Sequence, residues 1–277
     1  MLELPEVETI RRDLDRELTG KKIKSVEAES MAVLGHYNNR KSFTSRFDGQ
    51  KFLGVGRRGL TLLVAMDSDE TLVISLGPDT NLIRATNRAA DIAGTEVVFT
   101  FTQHGGLRVV DPTGGGDLHV CATDELDEEH PEFASLGIDP IEEPMSWTRF
   151  GEMLMQRGTK LKTLITDDAF LIGIGELYAD EILFTAGLRH DRLSNTLSTQ
   201  EVRRLYRALV ETLHEAIKHR GTTLEGGSYR DAFGEPGGYA EHLQVYGRDG
   251  DLSPRSRTPI QRVKFGGSWT YYCDTQV

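Results

Sequence analysis

Apolar residues recur at steps of three and four near the start of the chain. Leu4, Val7, Ile10, Leu14 and Leu18 fall on one face, the spacing of an amphipathic helix. Pro5 suits its first turn and Gly20 its stop, so the pattern predicts a helix over 5–18. The period then changes to two. Segments 23–30, 51–58, 60–66, 70–77, 95–101 and 106–111 alternate apolar and polar positions and are parted by Gly, Asp or Asn, the pattern of a β-sandwich or barrel. An acidic stretch from Asp124 to His130, with Pro131, Pro140 and Pro144 after it, reads as a linker near 124–145. Helical spacing returns over 146–157, 160–166, 175–186 and 199–220. The segments HLQVYGRDG, TPIQRVKFGG and SWTYYC then regain strand character, and GRDG and FGGS are turn signals of a hairpin. The expected fold class is α+β with two domains. An N-terminal β-sandwich with an opening helix spans 1–130, and a helical domain over 145–240 ends in a β-hairpin over 241–277.

Composition adds little to that picture until charge is counted. Hydrophobic content of 38% and charged content of 27% exclude a disordered chain. No apolar run approaches the roughly 18 residues of a membrane helix, and the N-terminus carries acids where a signal peptide would be basic and apolar. These features predict a cytoplasmic protein without membrane association, read here as a monomer. Cys121 and Cys273 lie too far apart to suggest a disulfide framework. The chain has 32 basic and 43 acidic residues, net −11, and the excess lies in 1–150, where 26 acids face 16 bases. Nucleic-acid binders draw most of their affinity from neutralised phosphates, so this balance argues against strong non-specific binding while leaving room for a local basic groove. The eight His residues show no metal spacing, and His104 with Asp111 reads as a strand-surface pair. No phosphate loop, nucleotide fingerprint or hydrolase elbow is present, and no cofactor is expected.

Three motifs carry a resemblance. The chain opens Glu3-Leu4-Pro5-Glu6-Val7-Glu8, continues in the middle with Gly173-Ile174-Gly175-Glu176-Leu177-Tyr178-Ala179-Asp180-Glu181, and ends with Val245-Tyr246-Gly247-Arg248, Thr258-Pro259-Ile260 and Gly266-Gly267. In this order and spacing they resemble the opening helix, helix-two-turn-helix and zinc-finger hairpin of the formamidopyrimidine-DNA glycosylase / endonuclease VIII family, over essentially the whole chain. The resemblance implies base excision on damaged double-stranded DNA. In that chemistry the damaged nucleotide is flipped from the duplex. An N-terminal proline amine attacks the sugar carbon, the adjacent glutamate moves protons, and elimination nicks the abasic site.

Carried over residue by residue, the resemblance makes Glu3 the catalytic glutamate. Glu6 matches a second acidic position near the sugar, with a plain first-turn helix acid as the equal alternative. The nucleophile departs from the pattern. Leu2 stands where the family has proline, so the free amine belongs to Met1 and lies one residue, up to about 3.8 Å, further from Glu3; misplacement on that scale commonly costs orders of magnitude in rate. Leu60 replaces the lysine expected after Gly59, leaving Arg57 and Arg58 as phosphate contacts or as a solvated strand edge. Ser75 and Pro78 replace a His and the gap-filling Met, and Thr113–Gly116 replace the Arg and Phe that fill the void, which reads as a flexible turn. Glu176 stands where an Asn would donate to phosphate; a carboxylate has no donor and repels it. Gly173 and Gly175 frame that turn, and Lys162 and Arg248 are further candidate DNA contacts. In the finger, Ser253, Ser256 and Gln276 stand with Cys273 at the four cysteine places, a set that cannot make a tetrahedral thiolate site, and Ser268 replaces the phosphate-holding arginine. A zinc-less finger held by apolar packing is expected.

Three functions follow. The first is a DNA-interacting protein of the family fold, with weak or absent lyase activity, acting at most as a monofunctional glycosylase through Glu3. The second is a non-catalytic protein that has lost DNA binding and serves as a protein-interaction module. The third, a conventional bifunctional enzyme using the Met1 amine, has the least support.

Overall fold

The computed structural model describes residues 2–86, 92–103, 105–143 and 145–277; the roles read for Met1 and His104 lie outside the described residues. The chain divides into two compact units, Met1–Ala134 with His219–Ala240, and Ser135–Lys218 with Glu241–Val277. Segment 219–240, grouped with the helical domain in the sequence reading, thus packs in the first unit.

The first unit opens with α1 (Leu4–Leu18), whose apolar face buries Leu4, Val7, Ile10, Leu14 and Leu18. There follow β1 (Ile23–Ala28), α2 (Arg40–Thr44), β2 (Phe52–Arg58), β3 (Thr61–Met66), β4 (Glu70–Ser75), β5 (Asn81–Ala85), β6 (Thr95–Phe101), β7 (Gly106–Val110), β8 (Asp117–Ala122) and α3 (Leu126–Glu129). The strands form two four-stranded antiparallel sheets, ordered β1-β6-β7-β5 and β2-β3-β4-β8, the expected sandwich. Its core joins Phe43, Phe47, Phe52, Phe99 and Phe101 to the aliphatic face of α1. Strands β5 and β8 escape the sequence reading because neither alternates. Four successive residues of β8, Leu118 to Cys121, are buried, so a search for period two passes over it. The acidic stretch expected as linker is also part of this unit, since Leu126 and Phe133 are buried there.

The second unit holds α4 (Trp147–Met155), α5 (Leu161–Ile165), α6 (Glu176–Ala186), α7 (Thr199–Lys218) and the hairpin of β9 (Gln261–Phe265) and β10 (Ser268–Tyr272). The amphipathic α7 buries Val202, Leu205, Leu209, Leu213 and Ile217. The strand expected around 242–250 does not form. The backbone N–H groups of Gln244, Val245 and Tyr246 donate to the Glu181 carboxylate at 2.8–3.1 Å, so they are not available to a ladder.

Candidate active site and nucleic-acid interface

Glu3 caps α1, in extended backbone at φ −111° and ψ 179°. Its N–H donates to Glu6 Oε2 at 3.1 Å, and the pair forms a reciprocal capping box. Glu6 itself is buried. Its other oxygen, Oε1, accepts the N–H of Thr222 at 2.7 Å, a bond that fixes the helix start to residues more than two hundred positions away. The approach depends on Gly221, whose φ of +77° suits glycine and whose missing Cβ would lie 2.8 Å from Glu6 Oε1. Tyr229 lies in the same region and donates its hydroxyl to Arg220 O at 3.0 Å; burial, and then the nearby Glu6, keep that phenol protonated. Glu3 is therefore held at the helix N-terminus by local geometry, while Glu6 is an internal strut. Leu2 is buried in the apolar core, which anchors the chain immediately before Glu3.

Arg57 and Arg58, neighbours on β2, face opposite ways. The Arg57 side chain is wholly buried, and its Nε donates to Glu8 Oε2 at 2.7 Å. It is neither a solvated edge nor a displayed phosphate contact, because this buried pair occupies its charge. Arg11 and Arg12 converge on the same Glu8 carboxylate at 2.9 and 2.6 Å. Although burial alone would raise the Glu8 pKa, the three guanidinium groups lower it to about 2. Arg58 is half-exposed and pairs with Asp127 at 2.9 Å.

The run Thr113–Gly116 is more ordered than a flexible turn. The buried Asp111 carboxylate accepts the N–H groups of Thr113, Gly114, Gly115 and Gly116 and the Thr80 hydroxyl. Burial opposes the charge, but these donors hold the Asp111 pKa below the usual carboxylate range.

In the second unit Gly173 takes φ +69° and donates its N–H to Asp168 at 2.7 Å, turning the chain into Gly175, the N-cap of α6. Glu176 is the first residue of that helix and sits 2.6 Å from Lys162 Nζ. The sequence reading sets Lys162 against a phosphate, yet it is only 1% exposed. Its ammonium also meets Asp180 Oδ1 at 2.7 Å and Thr270 Oγ1 at 2.8 Å. A buried ammonium needs such partners to remain charged, and they remove it from the surface. Burial is the largest influence on Asp180 and outweighs the pull of Lys162, while Glu176 adds repulsion, so its pKa rises to about 7. Arg248, partly exposed, donates to Asp251 at 3.1 Å and to Leu243 O at 2.9 Å.

The four finger positions are hydrogen-bonded to protein. Ser253 Oγ accepts the N–H of Arg255 at 3.3 Å. Ser256 and Thr258 hydroxyls pair at 2.6 Å. Gln276 accepts from Cys273 N at 2.8 Å and donates to Leu188 O at 2.8 Å. Two hydroxyls, one thiol and one carboxamide do not fit the zinc that the resemblance implies for this hairpin. Apolar packing of Phe184, Val245, Ile260 and Cys273, with Tyr271 against them, supports it.

Sequence reasoning missed Gly221, Thr222, Glu181 and Asp180. The first two lie in a Gly-rich stretch with no periodicity. Glu181 and Asp180 look like ordinary helix acids, and only an apolar surround on α6 hints that they are buried.

Comparison with known proteins agrees with this fold. Residues 1–118 match the family model described as the formamidopyrimidine-DNA glycosylase N-terminal domain, and residues 136–227 the formamidopyrimidine-DNA glycosylase H2TH domain. The formamidopyrimidine-DNA glycosylase of Pelotomaculum thermopropionicum is 36% identical over 275 residues, covering 99% of this chain and 98% of the relative. That of Heliobacterium modesticaldum is 37% identical over 280 residues, with the same coverage. Among solved structures, the Thermus thermophilus protein is 34% identical, with TM-score 0.82 over 99% of this chain and 97% of that one. The Lactococcus lactis protein in complex with DNA containing N7-benzyl-Fapy-dG is 29% identical, with TM-score 0.83 over 98% and 97%. With both domain models and full-length relatives in agreement, the chain belongs to the formamidopyrimidine-DNA glycosylase family, DNA glycosylases of base-excision-repair type.

Proposed function

We propose that this chain binds damaged or distorted duplex DNA and releases a base by activating water through Glu3, with little or no strand-cleaving lyase activity. The observation that carries the reading is the start of α1. Glu3 keeps its place at the helix N-terminus, where the dipole favours a carboxylate, while the residue before it is a buried leucine rather than an amine nucleophile. Solved relatives hold DNA with a modified Fapy-dG or an abasic site, the substrate class taken here. Arg58 and Arg248 are the proposed phosphate contacts, with Gly173 and Gly175 shaping the turn that would face the backbone and Glu176 tempering its affinity. Glu6, Arg57 and Lys162 are assigned supporting rather than substrate-touching roles. A cytoplasmic location fits this work.

One observation favours a second reading, loss of DNA binding. Each cationic side chain proposed from the sequence has an acidic partner: Arg57 with Glu8, Arg58 with Asp127, Lys162 with Asp180 and Glu176, and Arg248 with Asp251.

Two assays separate the possibilities. Fluorescence anisotropy on a duplex carrying a stable abasic analogue should show binding that exceeds binding to intact duplex; no binding at low salt would establish the second reading. Borohydride reduction with a true abasic duplex should trap no covalent adduct, and Glu3→Gln should lower base release at least about 100-fold while duplex affinity is kept. A trapped adduct at the N-terminal amine would overturn the lyase-poor mechanism.

A further inference from the structure

Three histidines and two acids that the proposed chemistry does not use converge on one side of the sandwich. Asp117 and His119 are alternate residues of β8, which places them on one face. His36 comes from the segment between β1 and α2. Its Nε2 lies 3.1 Å from Asp117 Oδ2, and His119 Nδ1 lies 3.1 Å from the same oxygen. All three ligand atoms fall within 4.8 Å of one another. Beyond them, His119 Nε2 meets His130 Nε2 at 2.9 Å, and His130 Nδ1 meets Glu132 Oε1 at 2.7 Å.

We propose that His36, Asp117 and His119 form a binding site for one divalent transition-metal ion of the zinc type, left open to solvent for further ligands. Two imidazoles and a carboxylate are borderline donors suited to zinc, cobalt or nickel. Metal–ligand bonds of about 2.0–2.2 Å in a tetrahedron place neighbouring donors a little over 3 Å apart, close to the 3.1 Å that separates Asp117 Oδ2 from each histidine nitrogen. The outer shell has the expected direction. With the ion on Nδ1, His119 carries its proton on Nε2 and donates it to His130, which donates from Nδ1 to Glu132, the arrangement that orients metal-bound imidazoles. Two neutral rings carry two protons for the three contacts that run from Asp117 to Glu132, so one contact lacks a proton; an ion between Asp117 and His119 Nδ1 would fill that place.

The site is also preassembled. Leu118 N–H donates to Val33 O at 2.8 Å, and Val120 N–H to the Tyr37 hydroxyl at 2.9 Å. These bonds hold the His36 segment to β8. Sequence spacing alone does not show the site, because its ligands come from separate segments.

The test is isothermal titration of the chelator-stripped full chain with Zn2+, and with Co2+ for its visible absorption. One equivalent should bind at micromolar affinity or better. His36→Ala, at a half-exposed position, should weaken binding at least about tenfold and abolish the cobalt bands while the fold is kept, and Asp117→Asn should do the same. Cys273→Ser should change neither. The proposal is overturned by no uptake at about 100 μM metal. It is equally overturned if uptake persists in both site variants, or is lost with Cys273→Ser.

Discussion

Glu8 shows how one buried carboxylate can organise a helix and a strand. Its folded pKa of about 2 lies below the ordinary 4.5. By linkage, the stabilisation it supplies is complete above pH 4.5 and fades as pH falls toward 2. Allowing for water around the exposed Arg12, the contribution is about 2 kcal/mol. Glu8→Gln should therefore lower stability by that amount at pH 7 and flatten the acid limb between pH 4.5 and 2, as read by urea unfolding across pH. Unchanged unfolding at pH 7 would mean that the guanidinium groups find other partners. At the same scale, Gly221→Ala should destabilise by about 2 kcal/mol, because a left-handed alanine is strained and its Cβ would press on the Glu6 carboxylate. Glu3 and Glu6 were singled out in the sequence by the resemblance of the opening motif, while the bond between them and the Glu6 bond to Thr222 were not read there. Arg57 and Lys162 were misjudged because the acids that bury them lie 49 and 18 residues away.

At the scale of elements, Glu181 ties α6 to the loop before the hairpin. Its carboxylate takes three consecutive backbone N–H groups, and burial raises its pKa despite them. Glu181→Ala leaves those donors unsatisfied and should cost about 3 kcal/mol. Hydrogen exchange should show the amides of 244–246 losing protection first, and uniform loss along α6 would argue for a different role. Helices α1 and α7 and strands such as β3 and β6 were readable from period alone, since each presents one apolar face. Strand β8 was not, because its four buried residues in a row carry no alternation, and β5 was not, because Asn81 and Arg84 break its short apolar run. The loop at 244–246 was misread for a related reason: its apolar residues pack like a strand while its amides serve a side chain.

For the whole molecule, net charge of −11 and the internal pairing of basic side chains limit the phosphate footprint. If Arg58 and Arg248 supply most contacts, the slope of log affinity against log salt should be about −2 to −3 on duplex DNA. Anisotropy between low and moderate salt measures it, and a slope of about −5 or steeper would reveal a basic groove the charge balance conceals. The family was legible from three motifs because each is local; the interior ion pairs that set its charge economy are not local and were found only in the fold.

The return of residues 219–240 to the first unit bears on how the protein is made. The bond from Thr222 to Glu6 cannot form while the chain is still short, since its donor is translated last of nearly everything the first unit contains. At about 5–20 residues per second, α1 waits roughly ten seconds or more for it. The second unit likewise needs 241–277. Neither half can be completed early on the ribosome, so a fragment ending at 134 lacks the lock on its own first helix, and the nascent chain depends on finishing.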